Sequence, residues 1–101
     1  MRVRLVALAR SEFLQEVAYY EDIRKGLGKR FRTVVEAALL RTAESPLSGK
    51  PGVAGTLRIL VKDFPFAIVY IPFEMEVVVF AIAHLSRRPG YWAGRINTDR
   101  P

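Results

Sequence analysis

Three apolar runs, separated by two short breaks, restrict the folds open to this chain more than any other feature. The runs are Leu57–Lys62, Phe66–Ile71 and Met75–His84. Runs rich in Val, Ile and Phe that are bounded by proline and acidic residues are typical of β-strands. Because a parallel return to the same sheet needs about a dozen residues or more, breaks this short predict antiparallel neighbours. The sequence therefore predicts a β-meander over residues 56–85.

The third run predicts a strand at the centre of the sheet. It is apolar at both alternating parities from Val77 to Ala83, and such a strand is normally covered on both faces. In the first run, Arg58 and Lys62 share one parity and are expected to project from the polar side. One layer of helices covers only one face, so the C-terminal residues or a partner protein are expected to cover the other.

The segment before the meander predicts an edge strand and then a helical hairpin over about residues 11–45. Met1–Leu8 alternates apolar and charged residues, as an edge strand does. Ser11 is placed to cap a first helix that begins near Glu12. The apolar stripe of this helix consists of Phe13, Leu14, Val17, Ala18, Tyr20 and Leu27. Gly26 and Gly28 are expected to end it.

The second helix of the hairpin is predicted from about Lys29 to Glu44. Its apolar stripe consists of Phe31, Val34, Val35, Ala38, Leu39 and Thr42. Pro46 stops the helix, and the Gly-, Pro- and Ser-rich residues 45–55 predict a surface loop. The order β-α-α-β-β-β indicates an α+β domain, with the helical hairpin on one face of an antiparallel sheet. A basic, aromatic tail, residues 86–101, follows.

The composition is that of one compact, basic domain spanning residues 1–101. Hydrophobic residues make up 50% of the positions, which is enough for a core. Cysteine is absent, which excludes disulfides and thiolate chemistry and agrees with a reducing cytoplasm. No apolar run approaches the roughly 20 residues that span a bilayer. The net charge of +6 favours nucleic acid, a ribosome or an acidic protein as partner.

The order of elements, together with several short motifs, resembles the RelE/ParE superfamily of toxins. The segments that carry the resemblance are LRILVKDFPFAIVY, which begins at Leu57, and VFAIAHLSRRPGYW, which ends at Trp92. Pro46, followed by a Gly-Lys loop, is also placed as in that family. The resemblance covers about residues 3–95 and is strongest to the ParE-like, plasmid-stabilisation branch.

The resemblance implies a cytoplasmic toxin of a type II toxin–antitoxin pair. A cognate antitoxin protein would bind the toxin in a hetero-oligomer and cancel its action. The target would be DNA gyrase for a ParE-like toxin, or messenger RNA on the ribosome for a RelE-like ribonuclease. A third alternative is a decayed toxin that binds only its antitoxin. No membrane or cofactor is expected, and a single histidine without a ligand cluster disfavours a metal site.

The candidate site residues come from the resemblance and from the charge of the tail. A RelE-like ribonuclease would use, as catalytic residues, Arg58, His84, Arg87 and Tyr91. An inhibitor would contact its target or antitoxin through Arg58, Lys62, Arg87, Arg88, Tyr91, Trp92 and Arg95. Simpler interpretations stay open, with His84 as a hydrogen-bonded residue that fixes the following turn and Trp92 as apolar cover for the sheet.

The apolar character of the central strands favours an inhibitor over a ribonuclease. RelE-like nucleases tend to carry many lysines and arginines and an acid–base residue on the sheet, whereas this sheet offers Val69, Val78 and Ile82. Glu74 and Glu76 are predicted to lie on a solvated turn rather than to act as an acid–base pair. The sequence therefore favours a ParE-like, non-enzymatic protein that binds gyrase.

Overall fold

The fold is α+β, with a five-stranded mixed sheet and three helices that pack against it. The computed structural model describes all residues from 1 to 101. The strands are β1 (Arg2–Leu5), β2 (Lys50–Pro51), β3 (Leu57–Leu60), β4 (Phe66–Pro72) and β5 (Glu76–His84). The helices are α1 (Ala7–Ile23), α2 (Leu27–Glu44) and α3 (Gly94–Asp99), with a 3-10 turn at Val53–Gly55. The strand order across the sheet is β1-β5-β4-β3-β2.

The predicted meander is present, since β3 pairs with β4, and β4 with β5, in antiparallel fashion. β5 lies between β1 and β4, and Val77–Ala83 is buried, as expected of a central strand. The expectation of a wholly antiparallel sheet is wrong. β1 pairs in parallel with β5, from Arg2 opposite Glu76 to Leu5 opposite Val79. The short breaks determine direction only within the meander, whereas the connection from β1 to β5 is long enough for either direction.

The first helix begins earlier than the sequence predicts. α1 starts at Ala7, not near Glu12, and Ser11 lies inside the helix instead of capping it. The Val6 N–H donates a hydrogen bond to the Val79 carbonyl oxygen at 3.0 Å, and the chain becomes helical at the next residue. Because no side chain caps this start, the sequence carries no local signal for it.

The buried face of α1 is also narrower than predicted. Phe13 is buried, while Val17 and Tyr20 are half-buried. Leu14 and Ala18, the residues predicted to widen the stripe, are exposed. Only the strip that faces the sheet and α2 is covered, because the hairpin forms a single layer.

The second helix keeps its predicted stripe but begins at Leu27 rather than at Lys29. Phe31, Val35, Ala38 and Thr42 are buried. The cap comes from the preceding helix, since the Glu21 carboxylate accepts hydrogen bonds from the N–H groups of Gly26 and Gly28 at 3.0 Å. This carboxylate satisfies backbone donors that a helix N-terminus otherwise leaves unpaired.

An aromatic cluster joins the helical hairpin to the sheet. The Phe31 ring lies 5.1 Å, centroid to centroid, from both Phe64 and Phe66. Tyr20 of α1 lies 4.8 Å from Phe64. The interplanar angles of these pairs are between 65° and 78°, close to the edge-to-face geometry that aromatic rings prefer. This cluster makes the hairpin side of the sheet a closed apolar layer.

The C-terminal residues cover part of the opposite face of the sheet. Trp92 and Ile96 are buried and belong to the core. Residues 86–101, predicted as a basic tail, contain α3, and residues 45–55, predicted as a loop, contain β2 and the 3-10 turn. Elements this short give no periodic signal. No helix of this fold combines the length and the apolar character that a membrane crossing requires.

Candidate functional site

A cleft of about 440 Å³ lies on the sheet face that the helical hairpin leaves open. Phe66 points toward the hairpin, so by strand alternation Ala67 and Val69 point into the cleft and form its floor with Ala83. The segment before β3 and the C-terminal tail form its walls. We call it the outer cleft, and its defining residues are Arg58, Val69, Ala83, Arg87, Arg88, Tyr91 and Trp92.

The outer cleft is lined by arginines and by no acidic residue. Arg58 and Arg88 form no ion pair with any acidic side chain of the protein. Lys50 of β2 lies directly opposite Arg58 in the register, so two cations share one face of a ladder. Like charges directly opposite each other destabilise a sheet. A bound anion would remove that repulsion.

The tail wall of the outer cleft, formed by Arg87 and Tyr91, is tied to α1. The Arg87 guanidinium lies 3.6 Å from the centroid of the Tyr91 ring, a cation–π contact. The Tyr91 hydroxyl donates a hydrogen bond to Glu12 Oε2 at 2.7 Å. Arg95 of α3 donates to both Glu12 oxygens at 3.0 Å. Glu12 of α1 therefore holds the tail through hydrogen bonds from Tyr91 and Arg95.

Tyr91 is held in its protonated form. Burial raises its pKa well above the ordinary value, and the hydrogen bond to Glu12 and the charge of that carboxylate raise it further. The positive charges of Arg87 and Arg95 act in the opposite direction without cancelling the rise. A phenol whose proton is committed to a carboxylate is a poor general acid or base at neutral pH.

His84 borders the outer cleft at the end of β5, and its ring contacts Phe66 and Ser86. The ring packs edge-on against Phe66 at a centroid distance of 5.0 Å. Its Nδ1 accepts a hydrogen bond from the Ser86 N–H at 3.0 Å, and Ser86 Oγ lies 2.7 Å from the same atom. These contacts hold the turn through which β5 leads into the tail.

The structure brings most of the predicted site residues to one place. Those that line the outer cleft are Arg58, His84, Arg87, Arg88, Tyr91 and Trp92. Lys62 is exposed in the turn between β3 and β4 and does not line the cleft. Arg95 does not line it either, because its guanidinium is engaged by Glu12. Trp92 is only 6% exposed, so it also serves as apolar cover for the sheet.

Two residues that adjoin the outer cleft, Glu12 and Lys50, escape sequence-based prediction. Glu12 stands outside the apolar stripe of α1 and would be placed in solvent, yet its side chain is 15% exposed. Lys50 lies in a segment predicted as a loop, and only the pairing of β2 with β3 sets it opposite Arg58. The excess of arginine in residues 86–101 is the one sequence signal that a buried acidic partner is needed.

No group of three or more His, Cys, Asp or Glu side chains is arranged to hold a metal ion. Compared with protein-family models and with curated proteins, the chain matches none. The outer cleft is the one described surface that combines an apolar floor with unpaired arginines.

Proposed function

We propose that this protein is the toxin of a type II toxin–antitoxin pair, a ParE-like protein that inhibits DNA gyrase by binding it. A cognate antitoxin in the same cytoplasm neutralises it in a hetero-oligomer. The observation that carries the proposal is the outer cleft, with its apolar floor, its arginine-lined walls and a tyrosine whose hydroxyl is engaged by Glu12. Such a surface suits an acidic and apolar protein segment better than a chemical step.

The arrangement of the elements adds support. An edge strand, a helical hairpin and an antiparallel meander follow one another along the chain, in the order that suggests the RelE/ParE family. The hairpin covers one face of the sheet and leaves the other for a cleft. Arg58 and Arg88 stand there without acidic partners, and arginines are among the residues that contribute most to protein interfaces.

A RelE-like ribonuclease is the second candidate, and one observation favours it. Arg58, Arg87 and Arg88 line the outer cleft, and Lys50 stands opposite Arg58 across the ladder. Four cations so placed suit a phosphate group. Cleavage also needs a group that transfers a proton, and the Tyr91 hydroxyl is already engaged by Glu12.

Expression of the chain alone in cells separates these functions. A gyrase inhibitor is expected to stop growth and alter the supercoiling of a reporter plasmid while translated messages stay intact. A RelE-like ribonuclease would cut translated messages and leave supercoiling unchanged. Normal growth would indicate a decayed toxin that binds only its antitoxin, and it would overturn the proposed activity.

Variants of the two arginines without acidic partners, Arg58 and Arg88, test whether gyrase binds at the outer cleft. Arg58→Ala and Arg88→Ala are each expected to weaken gyrase binding about tenfold or more, as truncation of an arginine anchor typically does. Arg10→Ala, which removes the same charge from an exposed position of α1, is the matched control. Equal loss in all three variants would mean that only net charge matters.

Tyr91→Phe distinguishes the two leading candidates directly. The change keeps the ring that stacks on Arg87 and removes only the phenolic hydroxyl. A gyrase inhibitor should remain mostly toxic, because Arg95 still ties the tail to Glu12. A ribonuclease that uses Tyr91 as its acid should be silenced. Complete loss of toxicity, at unchanged melting temperature and antitoxin affinity, would exclude the gyrase-type function.

A further inference from the structure

One edge of β5 is left without a strand partner. β1 ends opposite Val79, and the chain then turns into α1. The register of β4 with β5 shifts at this point, since Val69 lies opposite Ala81 and Tyr70 opposite Val79, which leaves Phe80 as an extra residue. A bulge of this kind changes the side toward which the following backbone groups point.

Two side chains take the place of the missing strand. The Ile82 N–H donates to Glu12 Oε1 at 3.1 Å, and Arg95 donates to the Phe80 carbonyl oxygen at 2.9 Å. Unpaired backbone groups in a buried position would be costly. The Glu12–Arg95 ion pair thus continues the hydrogen bonding of β5 where β1 has departed.

The same carboxylate is surrounded by donors from four directions. Besides the Ile82 N–H, it accepts from the Tyr91 hydroxyl and from both terminal nitrogens of Arg95, and Arg87 lies 3.7 Å away. A forked guanidinium–carboxylate pair is among the strongest and most directional contacts in proteins. These donors form a carboxylate socket, made of Ile82, Tyr91 and Arg95, which Glu12 fills from α1.

We propose that Glu12 is a positioning residue of the outer cleft, which by filling the carboxylate socket fixes the tail wall in its binding geometry. Tyr91 contacts Glu12 through its hydroxyl and Arg87 through its ring, so the position of Arg87 depends on a residue that does not line the cleft. The role in binding rests on the proposed function. The occupation of the socket by Glu12 does not rest on that function, and it can be measured without any binding partner.

The test is amide hydrogen exchange of the full chain carrying Glu12→Ala. The Ile82 amide and the amides of residues 87–96 are expected to exchange about tenfold faster or more than in the wild type, because a charged hydrogen-bond partner is lost. The amides of β4 should stay protected. Added acetate should restore protection by entering the emptied socket, whereas acetamide, or chloride at equal ionic strength, should not.

Controls separate positioning from general destabilisation. Glu16→Ala removes an acidic residue one turn further along α1, where the side chain makes no hydrogen bond, and should leave the tail amides unchanged. Glu12→Gln keeps the size of the side chain, so it serves if Glu12→Ala unfolds, and it should also loosen the tail. Deletion of the tail is a poor substitute, since Trp92 and Ile96 belong to the core.

Two results would overturn the proposal. One is a tail that stays as protected in Glu12→Ala as in the wild type, which would mean that packing of Trp92 and Ile96 holds the tail alone. The other is faster exchange in Glu12→Ala that acetate and acetamide reverse equally. A wild-type chain that does not inhibit growth would instead overturn the proposed function, and it would leave the exchange result intact.

Discussion

At the scale of single residues, Tyr91 makes the free energy of unfolding depend on pH in the alkaline range. Burial raises its pKa above the ordinary value, and Glu12 adds to the rise. A pKa raised by folding means that the stabilisation is fully present below the unfolded pKa of about 10 and is lost as the pH rises through the folded value. We expect the free energy of unfolding to fall as the pH rises above about 10, and to fall less in Tyr91→Phe.

Urea unfolding, followed by the fluorescence of the single tryptophan, measures this difference. Tyr19→Phe is the matched control, because Tyr19 is exposed and its hydroxyl makes no hydrogen bond. The free energy of unfolding of Tyr19→Phe should change with pH as that of the wild type does. An identical fall in the wild type and in Tyr91→Phe would mean that neither burial nor Glu12 raises the pKa of Tyr91 in solution.

The residues of the outer cleft differ in how far the sequence could predict them. Arg58 was predictable, because alternation along a strand is a local property and places it on the polar side. The Glu12–Arg95 pair was not, since the two residues are distant in sequence and an isolated acidic residue on a helix indicates solvent exposure. Lys50 comes to lie opposite Arg58 only through a strand pairing of two residues, too short for any periodic pattern.

At the scale of elements, the close contact of α1 with α2 depends on Gly28. A Cβ atom at this position would lie 2.5 Å from the Val17 carbonyl oxygen and 2.9 Å from the Glu21 Cβ. We therefore expect Gly28→Ala to destabilise the protein by about 1–3 kcal/mol, as overpacking does, although alanine favours helices. Chemical denaturation measures the change.

Gly94 in α3 provides the matched control for this prediction. A Cβ atom there would meet nothing within 4 Å. Gly94→Ala should leave stability unchanged or raise it by up to about 1 kcal/mol, through helix propensity alone. Equal effects at the two positions would show that the two helices can separate enough to admit a methyl group.

The elements that the sequence predicts well are those with a local periodic pattern. The meander strands and the buried stripe of α2 follow from apolar spacing within about ten residues. The parallel direction of β1 does not, because it depends on where the chain returns after both helices. Leu14 and Ala18 continue the apolar stripe in the sequence but lie outside the strip of α1 that its neighbours cover.

At the scale of the whole molecule, many large apolar side chains are exposed on the surface. Large exposed ones include Leu8, Leu14, Tyr19, Ile23, Leu40, Leu47, Leu60 and Leu85. We expect the free protein to have low solubility and the antitoxin to stabilise it by mass action. Antitoxin at a hundredfold excess over Kd adds about 3 kcal/mol, which raises the melting temperature by on the order of 10 °C.

Thermal unfolding of the protein alone and with its antitoxin measures this shift. Because the net charge is +6, the shift should shrink at high salt, which screens attraction between charged surfaces. Co-expression should also raise the yield and abolish growth inhibition. A highly soluble monomer whose melting temperature does not respond to antitoxin would contradict this prediction.

The pairing of β1 with β5 also determines the order in which the chain can fold during its synthesis. Arg2 leaves the ribosome long before its strand partner Glu76. Contacts between residues so far apart form slowly, since a long loop must close first. The α1–α2 hairpin can form early, whereas the outer cleft requires β5 and the tail. Until β5 and the tail have emerged, the nascent chain therefore lacks its proposed binding surface, and the proposed antitoxin would have that interval in which to reach it.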